Sequence, residues 1–357
     1  MTNRHLIDLS SMSQTELSEL LNLAGEIRRV PGRFAETCHG KIMATLFYEP
    51  STRTQMSFQA AMLRLGGRII GFDDPNSSSV AKGESLKDTV RVVSGYSDII
   101  VMRHPKAGAA KAASLYSRVP VVNAGDGGHL HPTQTLTDLV TLNEETGRLT
   151  DLCIGCCGDL KNGRTVHSLI KQMSRYPGNS FVLISTPQLG IPSYLKDYMD
   201  ARGVKYMELP TLEEAMPLLD VLYMTRIQRE RFSSAQEYEQ QKGVYVLDRR
   251  KLQKGKKSLR ILHPLPRVDE ITVEVDDDPR AIYFEQTEYG MYARMALILT
   301  MLEGSERQLE PCPKSTHDHR CQNPNCITGQ EAYLPRLFSG SGDMLTCDFC
   351  DERMLVE

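Results

Sequence analysis

No run in this sequence approaches the roughly 18 apolar residues that a membrane-spanning helix needs, so no such helix is expected. The opening stretch, Met1-Thr-Asn-Arg-His-Leu-Ile-Asp8, has no apolar centre of the kind a secretory signal carries. A cytoplasmic protein is therefore expected. Charge is not in excess either way: 42 Lys and Arg stand against 45 Asp and Glu, a formal net charge of −3. That balance gives no electrostatic footing for nucleic acid or a membrane surface. The glycines at 155, 158 and 163 miss the Gly-x-Gly-x-x-Gly spacing, which argues against a dinucleotide site. No Ser-His-Asp or Cys-His arrangement stands out, so a side-chain nucleophile is not expected. Cysteine is sparse through most of the chain. Cys38, Cys153, Cys156 and Cys157 sit in apolar segments, where cysteine behaves as a small hydrophobe. The other five of the nine follow residue 311, which is not the spread of an extracellular disulfide scaffold.

What is present is a rhythm of short apolar runs and amphipathic stretches, in 357 residues that allow two ordinary domains and a small third. It is organised around Phe47-Tyr48-Glu49-Pro50-Ser51-Thr52-Arg53-Thr54-Gln55. Lys41 to Tyr48 has the length of a buried strand, and Phe58, Ala61, Met62 and Leu65 recur at helical spacing up to Gly66-Gly67. Ser51, Thr52 and Thr54 thus fall at the first turn of a helix, where unpaired N–H groups and the helix dipole favour an anion. Arg53 adds a fixed charge with a planar fork suited to phosphate. Three hydroxyls and an arginine in four residues exceed what a helix cap requires.

Further strands are expected at 68–72, 98–105, 119–123, 152–157, 181–185, 221–225 and 260–263, and a last helix from about Tyr289 to Leu302. Ser13-Gln-Thr-Glu16 has the form of a capping box opening an early helix. Strands alternating with helices predict an α/β protein with two doubly wound parallel sheets. Ligands of such sheets bind at strand carboxyl ends. Arg53, Arg103, Arg226 and His131 follow strands, and Arg164 follows one by a loop. A lone arginine there is usually a surface ion-pair partner. Several at equivalent places in two sheets point to a cleft between two domains that receives strongly anionic ligands. His131, paired with Gln134 at a helix start after the Gly125–Gly128 loop, joins them as a candidate.

Six segments together resemble the aspartate/ornithine carbamoyltransferase family over residues 1 to about 303. They are Ser-Thr-Arg-Thr at 51–54, Lys-Gly-Glu at 82–84, Met-Arg-His-Pro at 102–105, His-Pro-Thr-Gln at 131–134, Gly-Asp-Leu with Gly-Arg-Thr-Val-His at 158–167, and His-Pro-Leu-Pro-Arg at 263–267. The chain is most similar to the aspartate branch. Ornithine enzymes typically carry His-Cys-Leu-Pro where His263-Pro264-Leu265-Pro266 stands, and use a different loop in place of Tyr223 to Gln228. On charge alone, Arg226 suits a substrate with a second carboxylate rather than an ammonium group. The resemblance implies carbamoyl phosphate and L-aspartate as substrates and pyrimidine synthesis as the role. It implies that Ser51, Thr52, Arg53, Thr54 and Arg103 hold the phosphate, and that Thr54, Arg103 and His131 polarise the carbonyl oxygen. Gln134 and the backbone carbonyls of Leu265 and Pro266 would receive the carbamoyl amide, and Arg164, Arg226 and Gln228 the two carboxylates of aspartate. Lys82, with Ser78 or Ser79, would reach the aspartate site from a neighbouring subunit, which implies a homotrimer with shared active sites. The implied domains are 1–132 with 286–303 for carbamoyl phosphate, 133–285 for aspartate, a linker at 304–320 and a small zinc-binding domain at 321–357. A transferase that uses another amino acid, and a zinc-ribbon adaptor on an inactive scaffold, are the competing readings; the second would lack a phosphate-binding residue, and none is missing.

In the tail, Cys321-x4-Cys326-x20-Cys347-x2-Cys350 has the spacing of a closed tetrahedral Zn²⁺ site. Cys312, His317 and His319 are reserve ligands. A segment this short has little core, so metal ligation would supply much of its folding energy. Cys321 to Ile327 resembles the zinc domain of the family's regulatory chain, which bridges catalytic trimers. That regulatory chain also has a nucleotide-binding domain of roughly a hundred residues, for which residues 304–320 leave no room. The expectation is a fusion that keeps the zinc interface and lacks in-chain control by CTP or ATP, with two trimers joined into a hexamer left open.

Overall fold

The computed structural model describes residues 5–227, 232, 234–303, 312–341 and 343–355. The backbone divides into two compact units, Met1–Thr133 with Met291–Glu357, and Gln134–Gly290. The chain passes between them inside two helices.

In the first unit, α1 (Gln14–Arg29) opens with the capping box: the Ser13 hydroxyl accepts the Glu16 N–H, and Glu16 returns the bond to the Ser13 N–H. Then follow β1 (Ile42–Phe47), α2 (Thr52–Arg64), β2 (Arg68–Phe72), α3 (Leu86–Tyr96), β3 (Ile99–His104), the short α4 (Ala109–Ser114), β4 (Val121–Asp126) and α5 (Pro132–Thr146). The four strands are parallel in the order β2-β1-β3-β4. The chain runs from β1 to one edge of the sheet and then returns past it to the other, an order that under the usual right-handed crossover places helices on both faces. The apolar runs of β1, β3 and β4 are therefore almost wholly buried. β2 lies at the edge and is largely exposed.

The second unit repeats the scheme with β5 (Cys153–Cys157), α6 (Arg164–Met173), β6 (Ser180–Ile184), α7 (Ser193–Asp200), β7 (Lys205–Leu209), α8 (Leu212–Ala215), β8 (Val221–Met224), α9 (Ala235–Gln241), α10 (Arg249–Leu252) and β9 (Arg260–Leu262). Its five strands are parallel in the order β7-β6-β5-β8-β9. β7 was not expected: it is an edge strand whose alternating, exposed residues show no apolar run. α11 (Tyr283–Leu302) starts earlier than Tyr289, because the apolar pattern is weak in its first turns.

The tail forms α12 (Ile327–Gln330) and an antiparallel meander of β10 (Phe338–Ser341), β11 (Met344–Cys347) and β12 (Arg353–Leu355). It shares a core with the first unit. Ile327, Leu334, Leu337, Phe338, Leu345, Phe349 and Met354 pack into one apolar cluster with Leu86, Val90 and the alanines of α4. The small side chains of α4 let the backbones come close. Ala107 donates to Asn325 O at 2.9 Å and accepts from the Ile327 N–H at 2.9 Å. At Gly108, φ is +81°, and a Cβ would sit 2.5 Å from the Phe349 carbonyl oxygen. Glu331 Oε1 accepts the Leu86 N–H, and the Tyr333 hydroxyl accepts the Lys87 N–H, so the start of α3 is capped from the tail.

Because Phe349 is fully buried in this shared core, Phe349→Ala is expected to cost about 3–5 kcal/mol of unfolding free energy in urea titration. A loss of about 0.5 kcal/mol or less, typical of surface positions, would mean that the tail is not docked.

Candidate active site

In each sheet the strand order reverses once, between β1 and β3 in the first and between β5 and β8 in the second. A crevice opens outside the strand ends at such a point. Arg53, Thr54 and Arg103 lie by the first of these places, and Arg164 and Arg226 by the second.

In the first unit, β1 ends at Phe47 and the chain turns through Pro50 into α2. The first intrahelical bond runs from the Gln55 N–H to Ser51 O at 3.0 Å, so the amides of residues 52–54 precede it. Ser51 precedes the helix without a side-chain cap bond, Thr54 is buried, and Thr52 and Arg53 are exposed. Phe47 pairs with Arg103 in the neighbouring strand, and the Tyr48 N–H donates to Arg103 O at 2.8 Å. This fixes Arg103 beside the helix start. Its guanidinium is mostly buried, with Nη1 3.5 Å from His131 Nε2 and Nε 3.5 Å from Glu49 Oε2. Arg103 Nε and Glu49 Oε2 are buried, and neither has a hydrogen-bond partner. A buried charge with unmet donors is costly for folding. It fits a group held ready for an anion.

Gly125, at the end of β4, has φ +124°, and a Cβ there would lie 3.1 Å from Arg103 Nη1 and 3.6 Å from His131 Cδ2. The bare glycine is what lets those two side chains meet. Asp126 then organises the loop leading to His131: it accepts from the Leu130 N–H at 2.9 Å, the Gly108 N–H at 2.8 Å and the Asn123 amide at 3.3 Å. His129 lies between Asp126, at 3.0 Å, and Asp351 of the tail, at 3.1 Å. Burial alone would lower the His129 pKa, but the two carboxylates raise it to about 9.

In the second unit, the Thr225 N–H donates to Cys157 O at 2.9 Å, joining the ends of β5 and β8. Gly158, at φ +117°, passes so close that a Cβ would meet Thr225 O at 2.3 Å. Arg164, at the start of α6, and Arg226, just after β8, issue from these two adjoining strand ends and are both half-buried. Gln228 lies outside the described residues. Gln134 is half-buried in the first turn of α5. Leu265 has φ +51°, is joined by a cis bond to Pro266, and is pinned by its N–H to His263 Nδ1 at 2.8 Å. Non-glycine residues in that region persist where the surroundings impose them, commonly at functional sites. Arg267 of the same motif turns to Asp276 and Tyr283 instead.

Lys82 is exposed at the end of a 3₁₀ turn closed by Gly83. The Ser78 hydroxyl is used inside its own loop, donating to Pro75 O and accepting the Val80 N–H, while Ser79 is exposed.

The Sγ atoms of Cys321, Cys326, Cys347 and Cys350 all lie within 4.8 Å of one another, and no pair is bonded. Four thiolates around one ion at about 2.3 Å have a compatible spread, so this set could hold a metal ion. The Thr328 hydroxyl donates to Cys326 Sγ at 3.1 Å, an outer contact of the kind that orients a ligand. Cys312 instead lies 3.6 Å from the Tyr116 hydroxyl, and His317 packs on His319 and Phe338.

Sequence reasoning passed over Glu49, inside the stretch it singled out, and read Gly125 only as a turn residue. Gly125→Ala is expected to lower kcat/KM for the carbamoyl donor by roughly tenfold or more through displaced Arg103 and His131; steady-state kinetics check it, and an unchanged value would show that this contact is not needed.

Two family models match the chain in order. Residues 4–144 match the family model described as aspartate/ornithine carbamoyltransferase, carbamoyl-P binding domain, and residues 150–301 its Asp/Orn binding domain. The chain is 58% identical over 299 residues to the aspartate carbamoyltransferase catalytic subunit of Clostridium kluyveri, covering 84% of this chain and 98% of that one. It is 55% identical over 299 residues to that of Clostridium novyi, with the same coverage. Among solved structures, the catalytic subunit of M. jannaschii aspartate transcarbamoylase aligns with a TM-score of 0.80 at 46% identity, covering 85% of this chain and 99% of that chain. The Trypanosoma cruzi enzyme in complex with carbamoyl phosphate and aspartate aligns with a TM-score of 0.77 at 37% identity, covering 83% and 94%. With both domain models matched in order and identity this high along almost the whole of its relatives, the chain belongs to the aspartate/ornithine carbamoyltransferase family, on the aspartate branch.

Proposed function

We propose that the chain transfers the carbamoyl group of carbamoyl phosphate to the amine of L-aspartate, giving N-carbamoyl-L-aspartate and phosphate in de novo pyrimidine biosynthesis. The observation that carries this reading is the pair of switch points: hydroxyls, a helix start, Arg103 and His131 in one unit, Arg164 and Arg226 in the other. The aspartate amine attacks the carbonyl carbon, the oxygen takes up negative charge, and the C–O bond to phosphate breaks. The proton lost by the amine goes to the leaving phosphate. No side chain is acylated.

The chain's task is therefore to hold two anions together and to meet charge as it develops. Ser51, Thr52, Arg53, Thr54 and Arg103 bind the phosphate. Thr54, Arg103 and His131 face the carbonyl oxygen. Gln134, Leu265 O and Pro266 O accept from the carbamoyl amide, and Arg164, Arg226 and Gln228 bind the aspartate carboxylates. Lys82 serves a neighbouring copy. Ser79, exposed where Ser78 is engaged, is the hydroxyl we assign with it. Exposed Met56 and Leu63 on α2 and Ile70 on the edge strand β2 supply apolar surface for a homotrimer. The four cysteines take a structural Zn²⁺, which would cross-link the tail's two knuckles. None of the described helices is long and apolar enough to cross a membrane. This accords with a cytoplasmic enzyme of small anionic substrates.

Carbamoyl transfer to aspartate and to ornithine, measured separately on metal-replete protein, tests the assignment. Turnover with aspartate alone is expected, and Arg226→Ala should raise KM for aspartate by roughly 10- to 100-fold. Turnover with ornithine alone would overturn the substrate, and activity with neither would overturn the reading. Metal analysis should find one zinc per chain, lost in Cys347→Ser; zinc retained in that variant would contradict the four-cysteine site.

A further inference from the structure

Two groups proposed to receive the carbamoyl amide, the Gln134 side chain and the Leu265 loop, are far apart in sequence. They are nonetheless joined by an unbroken chain of hydrogen bonds inside the second unit. Gln134 Nε2 donates to Asp138 Oδ1 at 2.9 Å. Gln286 Nε2 donates to the same oxygen at 2.7 Å, and the Tyr223 hydroxyl donates to Oδ2 at 3.0 Å. Gln286 Oε1 accepts the His263 N–H at 3.0 Å, and His263 Nδ1 accepts the Leu265 N–H at 2.8 Å. His263 Nε2 is 2.6 Å from Glu270 Oε1, and Glu270 Oε2 accepts the N–H groups of Val268 and Asp269. Asp138, Tyr223, Gln286, His263 and Glu270 are all buried.

The order of donors and acceptors along this chain is forced. An ionised carboxylate only accepts, so each glutamine must turn its NH₂ group to Asp138. That leaves Gln286 to offer Oε1, and the backbone N–H of His263 only donates. The His263 ring, accepting at Nδ1, then carries its proton on Nε2, directed at Glu270. At the other end, one N–H of Gln134 is held on Asp138, which turns the amide so that Oε1 is the acceptor it offers a ligand.

The geometry points to Asp138 as a positioning residue for donor-substrate specificity: it fixes the Gln134 amide so that an oxygen, not an NH₂, faces the carbamoyl group, and through Gln286 and His263 it ties that acceptor to the Leu265 carbonyl loop. The inference rests on the reading that Gln134 contacts the carbamoyl amide. A carbamoyl NH₂ brings two donors and no acceptor. A site that presents only acceptors therefore selects it over an acyl group of the same size that has nothing to donate, since the site's buried oxygens would be left unpaired. Acetyl phosphate, with a methyl in place of the NH₂, is that probe.

The experiment uses the full chain and measures KM for carbamoyl phosphate and the competitive Ki of acetyl phosphate. Asp138→Leu removes the oxygen that holds both glutamine amides while keeping a similar shape, so the Gln134 amide is no longer fixed with its NH₂ turned away. The expected result is that carbamoyl phosphate weakens by roughly 10- to 100-fold while acetyl phosphate changes by less than about twofold. Gln134→Met should give the same loss of discrimination, and the double variant should be little worse than either single one. Equal weakening of both ligands, or additive losses in the double variant, would show Asp138 to be merely structural and overturn the proposal. If Gln134→Met leaves the discrimination intact, the contact assigned to Gln134 fails, and the inference with it. Should Asp138→Leu not fold, Gln286→Met serves: it removes one donor to Asp138 and the acceptor of the His263 N–H while keeping shape. A fall in discrimination supports the proposal, and an unchanged ratio in the folded variant overturns it.

Discussion

Two anions that repel each other have to be brought to bonding distance, and the cations at the strand ends are of the kind that demand calls for. A nucleophilic side chain would not ease the problem. Fixed cations, backbone N–H groups at a helix start and hydroxyls do, because they are oriented before the substrates arrive and lose little on reorganisation. The fold supplies such places cheaply. Each parallel sheet reverses its winding once, and at each reversal two neighbouring strands end side by side. Arg103 and the Ser51–Thr54 helix start come from one such pair, Arg164 and Arg226 from the other.

Holding charge ready has a cost, and the structure shows how it is carried. Arg103 is largely buried with its Nε–H unmet, as is the Oε2 atom of Glu49 beside it, and Leu265 is held at φ +51°. Around them the support is dense: Asp126 gathers three donors to shape the His131 loop, and Asp138 gathers three around Gln134. The cysteine-rich tail belongs to the same support. Its apolar face completes the core under α3 and α4, and Asp351 reaches His129, which in turn holds Asp126. A tail whose four cysteines could hold a metal ion is thus docked on its own chain, in contact with the loop that carries His131.

Much of this was legible in the sequence, for physical reasons. Buried parallel strands are short apolar runs, so β1, β3, β5 and β8 could be placed within a residue or two, and an arginine or histidine ending such a run is conspicuous. The four-cysteine spacing identified residues that the fold does bring together. What escaped notice depends on packing rather than pattern. β7 is an exposed edge strand, α4 is a run of alanines shaped by the tail lying on it, and the tail's meander borrows its core from another part of the chain. Gln286 and Asp138 were invisible as a pair because 148 residues separate them in sequence. The direction of the Gln134 amide follows only from what its neighbours can donate or accept.

The most direct test of the account is the binding of a bisubstrate analogue, a phosphonate tethered to aspartate, measured by calorimetry on the full chain and on Arg53→Ala and Arg164→Ala. If the two switch points hold opposite ends of one substrate pair, each substitution lowers affinity by roughly 10-fold or more. An analogue that binds the Arg164→Ala protein as tightly as the unaltered chain would contradict the assignment of the second unit to the dicarboxylate.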